Sequence, residues 1–137
     1  MKISKTEYKK MADEAIPPSR KQKNMICAFL IGGLICSIGQ ILYEIYQRFG
    51  LNQDDTSTAV SISLIFLGAF LTGINLYHSI AKVAGAGTLV PITGFSNAVV
   101  SPAMEFKREG QVLGIGAKMF TIAGPVIVFG TIAASLY

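Results

Sequence analysis

The side chains of this chain best able to meet a ligand are amides and hydroxyls sunk in apolar runs. Gln40 and Asn75 lie in stretches otherwise built mainly of Ile, Leu, Phe, Gly and Ala. Thr93, Ser96 and Asn97 sit in a segment broken by Gly85, Gly87, Pro91 and Gly94. An amide in an apolar medium needs a hydrogen-bond partner or water, because burial without one is costly. Gly33, Ser37, Gln40 and Glu44 recur at helical spacing, and so do Ser61, Gly68, Thr72, Asn75 and Ser79. Stripes of this kind either pack helices closely or border water. Close packing is the commoner use of small residues, and the two amides tilt the balance toward water. Around Thr93, Ser96 and Asn97 a broken helix offers backbone N–H groups and a helix start, which attract carboxylates. A tight glycine hairpin serving only for packing accounts for the same residues equally well.

Other chemistries find little footing. GAGTLV lacks the third glycine of a dinucleotide fingerprint, and no Gly-Lys-Ser/Thr follows it as in a phosphate-binding loop. It is not the TVGYG filter of potassium channels either. There is no nucleophile–base pair, no pair of carboxylates in the apolar region and no Cys/His spacing for a metal. Neither enzyme activity, a cofactor nor a metal is expected. Cys27 and Cys36, on opposite faces of one helix, read as packing residues. His78, with Asn75 and Lys82 on neighbouring turns, reads as an interfacial hydrogen-bonding residue ahead of a proton switch. Lys107, Arg108 and Lys118 suit anionic substrates and lipid headgroups alike.

The elements that hold these residues are set by composition. Of 137 residues 51% are hydrophobic and 15% charged, with a mean hydropathy of +0.50; a soluble domain carries about 25% charged residues. Residues 1–23 form a basic tail with seven Lys/Arg against Glu7, Asp13 and Glu14, broken at Pro17-Pro18. No nucleic-acid-binding motif accompanies it, so it is read as setting topology, with the N-terminus cytoplasmic. Between Lys23 and Glu44 lie 20 uncharged residues, which at about 1.5 Å each match the hydrocarbon thickness of a bilayer. This run is too long, and its flanks too acidic and bulky, for a cleaved signal peptide. A second uncharged run covers 56–81, and a third, holding only Lys118, covers 111–137. The latter ends at Tyr137 without a polar tail, leaving room for a slightly longer protein. Pro125 is expected to kink it.

Residues 83–104 are uncharged but interrupted by Gly85, Gly87, Pro91, Gly94 and Pro102. Backbone groups freed by such breaks cannot face lipid, so the segment is buried in protein or lines a wet cavity. The expected fold is therefore an all-α integral membrane protein. It has three transmembrane helices (about 24–43, 56–81 and 111–137) and a Gly/Pro-broken re-entrant segment (83–104). Re-entry keeps Lys82, Lys107, Arg108 and Lys118 on the cytoplasmic side; a fourth full span would put Lys107 and Arg108 outside.

The run GAGTLVPITGFSNAVVSPAMEFKREGQVLGIGAKMF at 85–120 resembles the SpoVA family of endospore-forming bacteria, and AFLIGGLICSIGQ at 28–40 resembles the family's first helix. GAG, VPITGF and EFKREG are long, unusual motifs. The basic N-terminal extension and VPITGF followed by SNA look more like the AC type than the AE type. The resemblance implies a protein of the forespore and spore inner membrane that moves dipicolinic acid, as its calcium chelate, into the core and out again on germination. It also implies partners: an AE-type membrane protein and an AD-type soluble dipicolinate-binding subunit. AC-type members are regarded as channel-forming and responsive to membrane tension. Family members often carry an acid after the Tyr that closes the second helix, where this chain has His78, so an ion-coordinating role is not carried over. Three helices are too few to enclose a path, which implies an oligomer with Gln40, Asn75 and the Thr93–Asn97 turn along the path. A non-conducting scaffold that docks soluble partners, or a small holin-like pore, are the alternatives.

Overall fold

The computed structural model describes residues 4–15 and 20–137; the Pro17-Pro18 break of the tail lies outside the described residues. Helix α1 (Lys5–Ala15) opens with a reciprocal cap: Ser4 N–H donates to Glu7 Oε2 (3.1 Å) and Glu7 N–H to Ser4 Oγ (3.2 Å). Helix α2 (Lys21–Arg48) has 28 residues, about 42 Å at 1.5 Å each, and overruns the expected span at both ends. The connection after it is only Phe49–Asn52, shorter than the gap between the expected spans 24–43 and 56–81. Asn52 caps α3 (Gln53–Gly73), its side chain accepting from Asp55 N–H at 2.8 Å.

The apolar run 56–81 is not one helix. Helix α3 stops at Gly73, and Asn75 takes a left-handed conformation (φ 60°, ψ 18°) before α4 (Leu76–Ala84) begins. Asn enters that region more readily than most residues because its short polar side chain bonds locally. The polar stripe counted through an unbroken helix therefore ends at Thr72, and Ser79 is exposed.

The next segment is broken at Gly85–Thr88, a 3₁₀ turn, but α5 (Ile92–Glu105) runs through Pro102. The expectation that Pro102 interrupts the helix fails. It sits in the last turn, where it removes a single N–H bond, and packing of α5 on both sides holds the helix together. With 9 and 14 residues, α4 and α5 reach only about 14 and 21 Å, each short of a bilayer core of about 30 Å. A 3₁₀ turn at Lys107–Glu109 and a π-helical stretch at Gln111–Gly116 lead into α6 (Ala117–Leu136). The π stretch had no signal in the sequence pattern. Lys118 lies with Nζ 4.2 Å from the centre of the Phe106 ring, a cation–π contact that anchors the start of α6.

Three helical stretches are long and apolar enough to cross a membrane: Lys21–Arg48, Gln53–Gly73 and Gln111–Leu136. The main neighbours run in the order α2, α3, α5, α6, with α4 and the first 3₁₀ turn packed on α2. Among the described residues the buried apolar ones are few, Tyr77, Ala84 and Ala123, while Thr56, Thr72, Thr88, Thr93 and Ser96 are buried too. Large apolar side chains such as Phe29, Phe66 and Phe129 point outward. That arrangement suits lipid, where close backbone approach and hydrogen bonds hold helices together and large apolar side chains can face hydrocarbon.

Candidate functional site

Glycines bring the backbones close enough for the polar residues to meet. A Cβ at Gly68 of α3 would lie 3.0 Å from Thr93 O and 3.1 Å from Thr93 Cα, so α5 rests directly on α3 there. At Gly87 a Cβ would collide with the backbone of Ala28, falling 2.8 Å from its Cα, which pins the 3₁₀ turn against α2.

Across these contacts runs a hydrogen-bonded lattice. Ser96 Oγ donates to Ile65 O of α3 at 2.8 Å. Thr72 Oγ1 lies 2.7 Å from Gly68 O and 3.0 Å from Asn97 Oδ1. Tyr77, 3% exposed, donates from its hydroxyl to Thr88 O (3.0 Å), with Thr93 Oγ1 at 3.2 Å. Thr88 Oγ1 donates to Gly85 O at 2.9 Å. Among the described residues no buried side-chain N or O lacks a partner. These bonds fix where α4, the turn and α5 sit relative to α3.

Beside the lattice opens a cavity of about 480 Å³ lined by Thr72, Asn75, His78, Asn97, Ser101 and Glu105, with Ala81 and Met104. Thr72 has one hydroxyl proton to share between Gly68 O and Asn97 Oδ1, and the Asn97 side chain, held against it, lines the cavity with its amide group. Asn75 makes no side-chain capping bond to α4 and contributes a whole amide. The lining is thus two amides, two hydroxyls, an imidazole and one carboxylate, which can replace the hydration shell of a polar solute. A separate, apolar crevice of about 180 Å³ lies between α2, α3 and α4, with Tyr77 and Thr93 in its wall.

Of the residues singled out by sequence, Asn75 and Asn97 come together at the cavity, while Thr93 and Ser96 are locked in the lattice. Gly85, Gly87, Pro91 and Gly94 shape the turn and the start of α5. Gln40 stands apart: it is exposed on α2, its Nε2 3.4 Å from Glu44 Oε1. His78 faces the cavity. Tyr77, Ser101 and Glu105 were missed. Ser101 follows Asn97 by four residues on α5 and could have been found by that spacing; Tyr77 gives no sign of its role until the helix break turns it inward.

Three bilayer-length helices, two short helices joined by a 3₁₀ turn and a polar cavity at their junction define a small multi-pass membrane protein. Residues 24–137 match the SpoVAC/SpoVAEB sporulation membrane protein family, to which the chain belongs. Stage V sporulation protein AC of Bacillus subtilis (strain 168) is 44% identical over 131 residues, 95% of this chain and 87% of the relative. No solved structure matches the chain. It is a sporulation membrane protein, as the motifs at 28–40 and 85–120 led one to expect.

Proposed function

We propose that the chain is a membrane subunit of the path by which dipicolinic acid, as its calcium chelate, enters the forespore core and leaves it on germination. The observation that carries this reading is the polar cavity at the break between α3 and α4. There Asn75 and Asn97 present amide donors, and Glu105 and the hydroxyls present oxygen ligands, within one space of about 480 Å³. A chelate of a planar dicarboxylate with calcium needs both kinds of partner, donors for its carboxylates and hard oxygens for its metal.

In this reading α4, the turn and α5 enter and leave the membrane on one face, because neither helix reaches across it. The basic N-terminus is cytoplasmic, and the membrane is the forespore inner membrane. The work is passage and not catalysis, in concert with an AE-type membrane protein and an AD-type soluble dipicolinate-binding subunit. Several copies surround the path, because one chain has too few helices to enclose it.

The test is the dipicolinate content of spores from a strain lacking this gene, complemented with the wild-type copy or with Ser101→Leu. The serine lines the cavity and makes none of the lattice bonds, so leucine fills the space and leaves the fold alone. Near-absent dipicolinate in the deletion, restored by wild type and not by Ser101→Leu at equal protein level, is expected. Normal content and normal release in the deletion strain would overturn the reading.

A further inference from the structure

The stripe Gly33, Ser37, Gln40 and Glu44 points away from the rest of the chain. At about 100° per residue these four positions fall within about 60° of helix α2. All four are exposed, whereas the less exposed positions Ala28, Gly32, Ile35, Gly39, Leu42 and Tyr46 lie on the opposite side, toward α3 and the 3₁₀ turn. Gln40 stands 16 residues beyond Asn24, about 24 Å along the helix and so still within a hydrocarbon layer of about 30 Å. Its only hydrogen bond among the described residues is the 3.4 Å contact to Glu44, which leaves its carbonyl oxygen bare. Lipid offers no donor, and polar side chains in spanning helices almost always face protein or water. The surface is also shaped for a close neighbour: a Cβ at Gly33 would meet nothing within 4 Å, and Ser37 spends its hydroxyl on Gly33 O at 2.9 Å. Gly33 and Ser37 form a small-xxx-small pair, which lets two helix backbones approach.

We infer that this face of α2 packs against the same face of α2 in a second copy of the chain. The chemistry is self-complementary. A glutamine amide carries both a donor and an acceptor, so Gln40 of each copy satisfies the other. In copies inserted in one orientation Glu44 of each comes beside Glu44 of the other, and Arg48, one turn further on at the edge of the same surface, supplies the countercharge across the pair. A chosen membrane partner of different sequence would have no need of this symmetry. The inference stands whatever crosses the membrane.

The test is disulfide cross-linking of the purified full chain in liposomes, with Cys27 and Cys36 first replaced by alanine. Single cysteines at Gly33, Ser37 and Gln40 are expected to give a dimer band on oxidation, at least fivefold stronger than cysteines at Ile62 of α3 or Phe129 of α6, which are 62% and 71% exposed. Gln40→Leu is expected to weaken the Ser37→Cys cross-link severalfold and Gln40→Asn to retain most of it; leucine on a lipid face does not threaten the fold. Equal bands at all positions would mean random collision, and none at α2 would mean a different occupant; either result overturns the pairing.

Discussion

The face of α5 that meets α3 and the face of α2 that leaves the bundle carry the same kinds of residue and use them in opposite ways. Where the two helices meet, Gly68 of α3 lets backbones touch, and each hydroxyl finds an acceptor inside the chain, Ser96 on Ile65 O and Thr72 shared between Gly68 O and Asn97 Oδ1. On the outer side of α2, glycine has open space beside it and an amide oxygen has no donor among the described residues. Small and polar residues in a membrane helix thus do not announce an interior. They announce a contact, and only the accounting of hydrogen bonds tells whether that contact is within the chain or beyond it.

Substitutions on the two faces put this contrast at risk. Gly87→Val should have the largest effect, because the added carbons collide with the Ala28 backbone; a loss of about 3 kcal/mol or more is expected, seen as failure to accumulate in the membrane. Gly33→Val, with nothing near it, should leave thermal unfolding of the detergent-solubilised monomer unchanged, and an equal loss from both would erase the distinction. Asn75→Gly keeps the left-handed turn while deleting the amide; under the proposed function spore dipicolinate should fall severalfold with normal protein level, and unchanged content would remove Asn75 from the proposed path.

Tyr77→Phe removes the hydroxyl that holds Thr88 O and leaves that carbonyl buried, at a cost of about 1–3 kcal/mol in the thermal unfolding of the purified protein. Thr72→Val keeps the shape and frees Asn97, for a smaller loss of about 0.6 kcal/mol. Both should exceed the effect of Ser37→Ala on the monomer, whose hydroxyl bonds only its own helix.

The spanning helices were legible in the sequence because charge-free runs of bilayer length have few other uses. The break at Asn75 was not: nothing in TGINLYHS excludes a continuous helix, and the left-handed residue is fixed by how α4 must lie against α2. That one missed bend carried the second stripe too far, to Ser79, and hid Tyr77. Pro102 misled in the other direction, since a proline near a helix end weakens a pattern more than it weakens a packed helix. At the cavity, the amides Asn75 and Asn97 stood out by type, while Glu105 opens the charged run EFKREG and carries no mark of its own. Gln40 shares its face with Gly33, Ser37 and Glu44 by spacing, and helical spacing gives the face a residue shares, never the direction in which that face looks.

The scarcity of buried apolar side chains has a practical meaning. With Tyr77, Ala84 and Ala123 as the buried apolar residues described, most of the greasy surface of this protein is covered by whatever surrounds it. The solvent shell is then a structural component: the stability measured for the chain belongs jointly to the polypeptide and to its amphiphile, and changing acyl-chain length is equivalent to repacking a core.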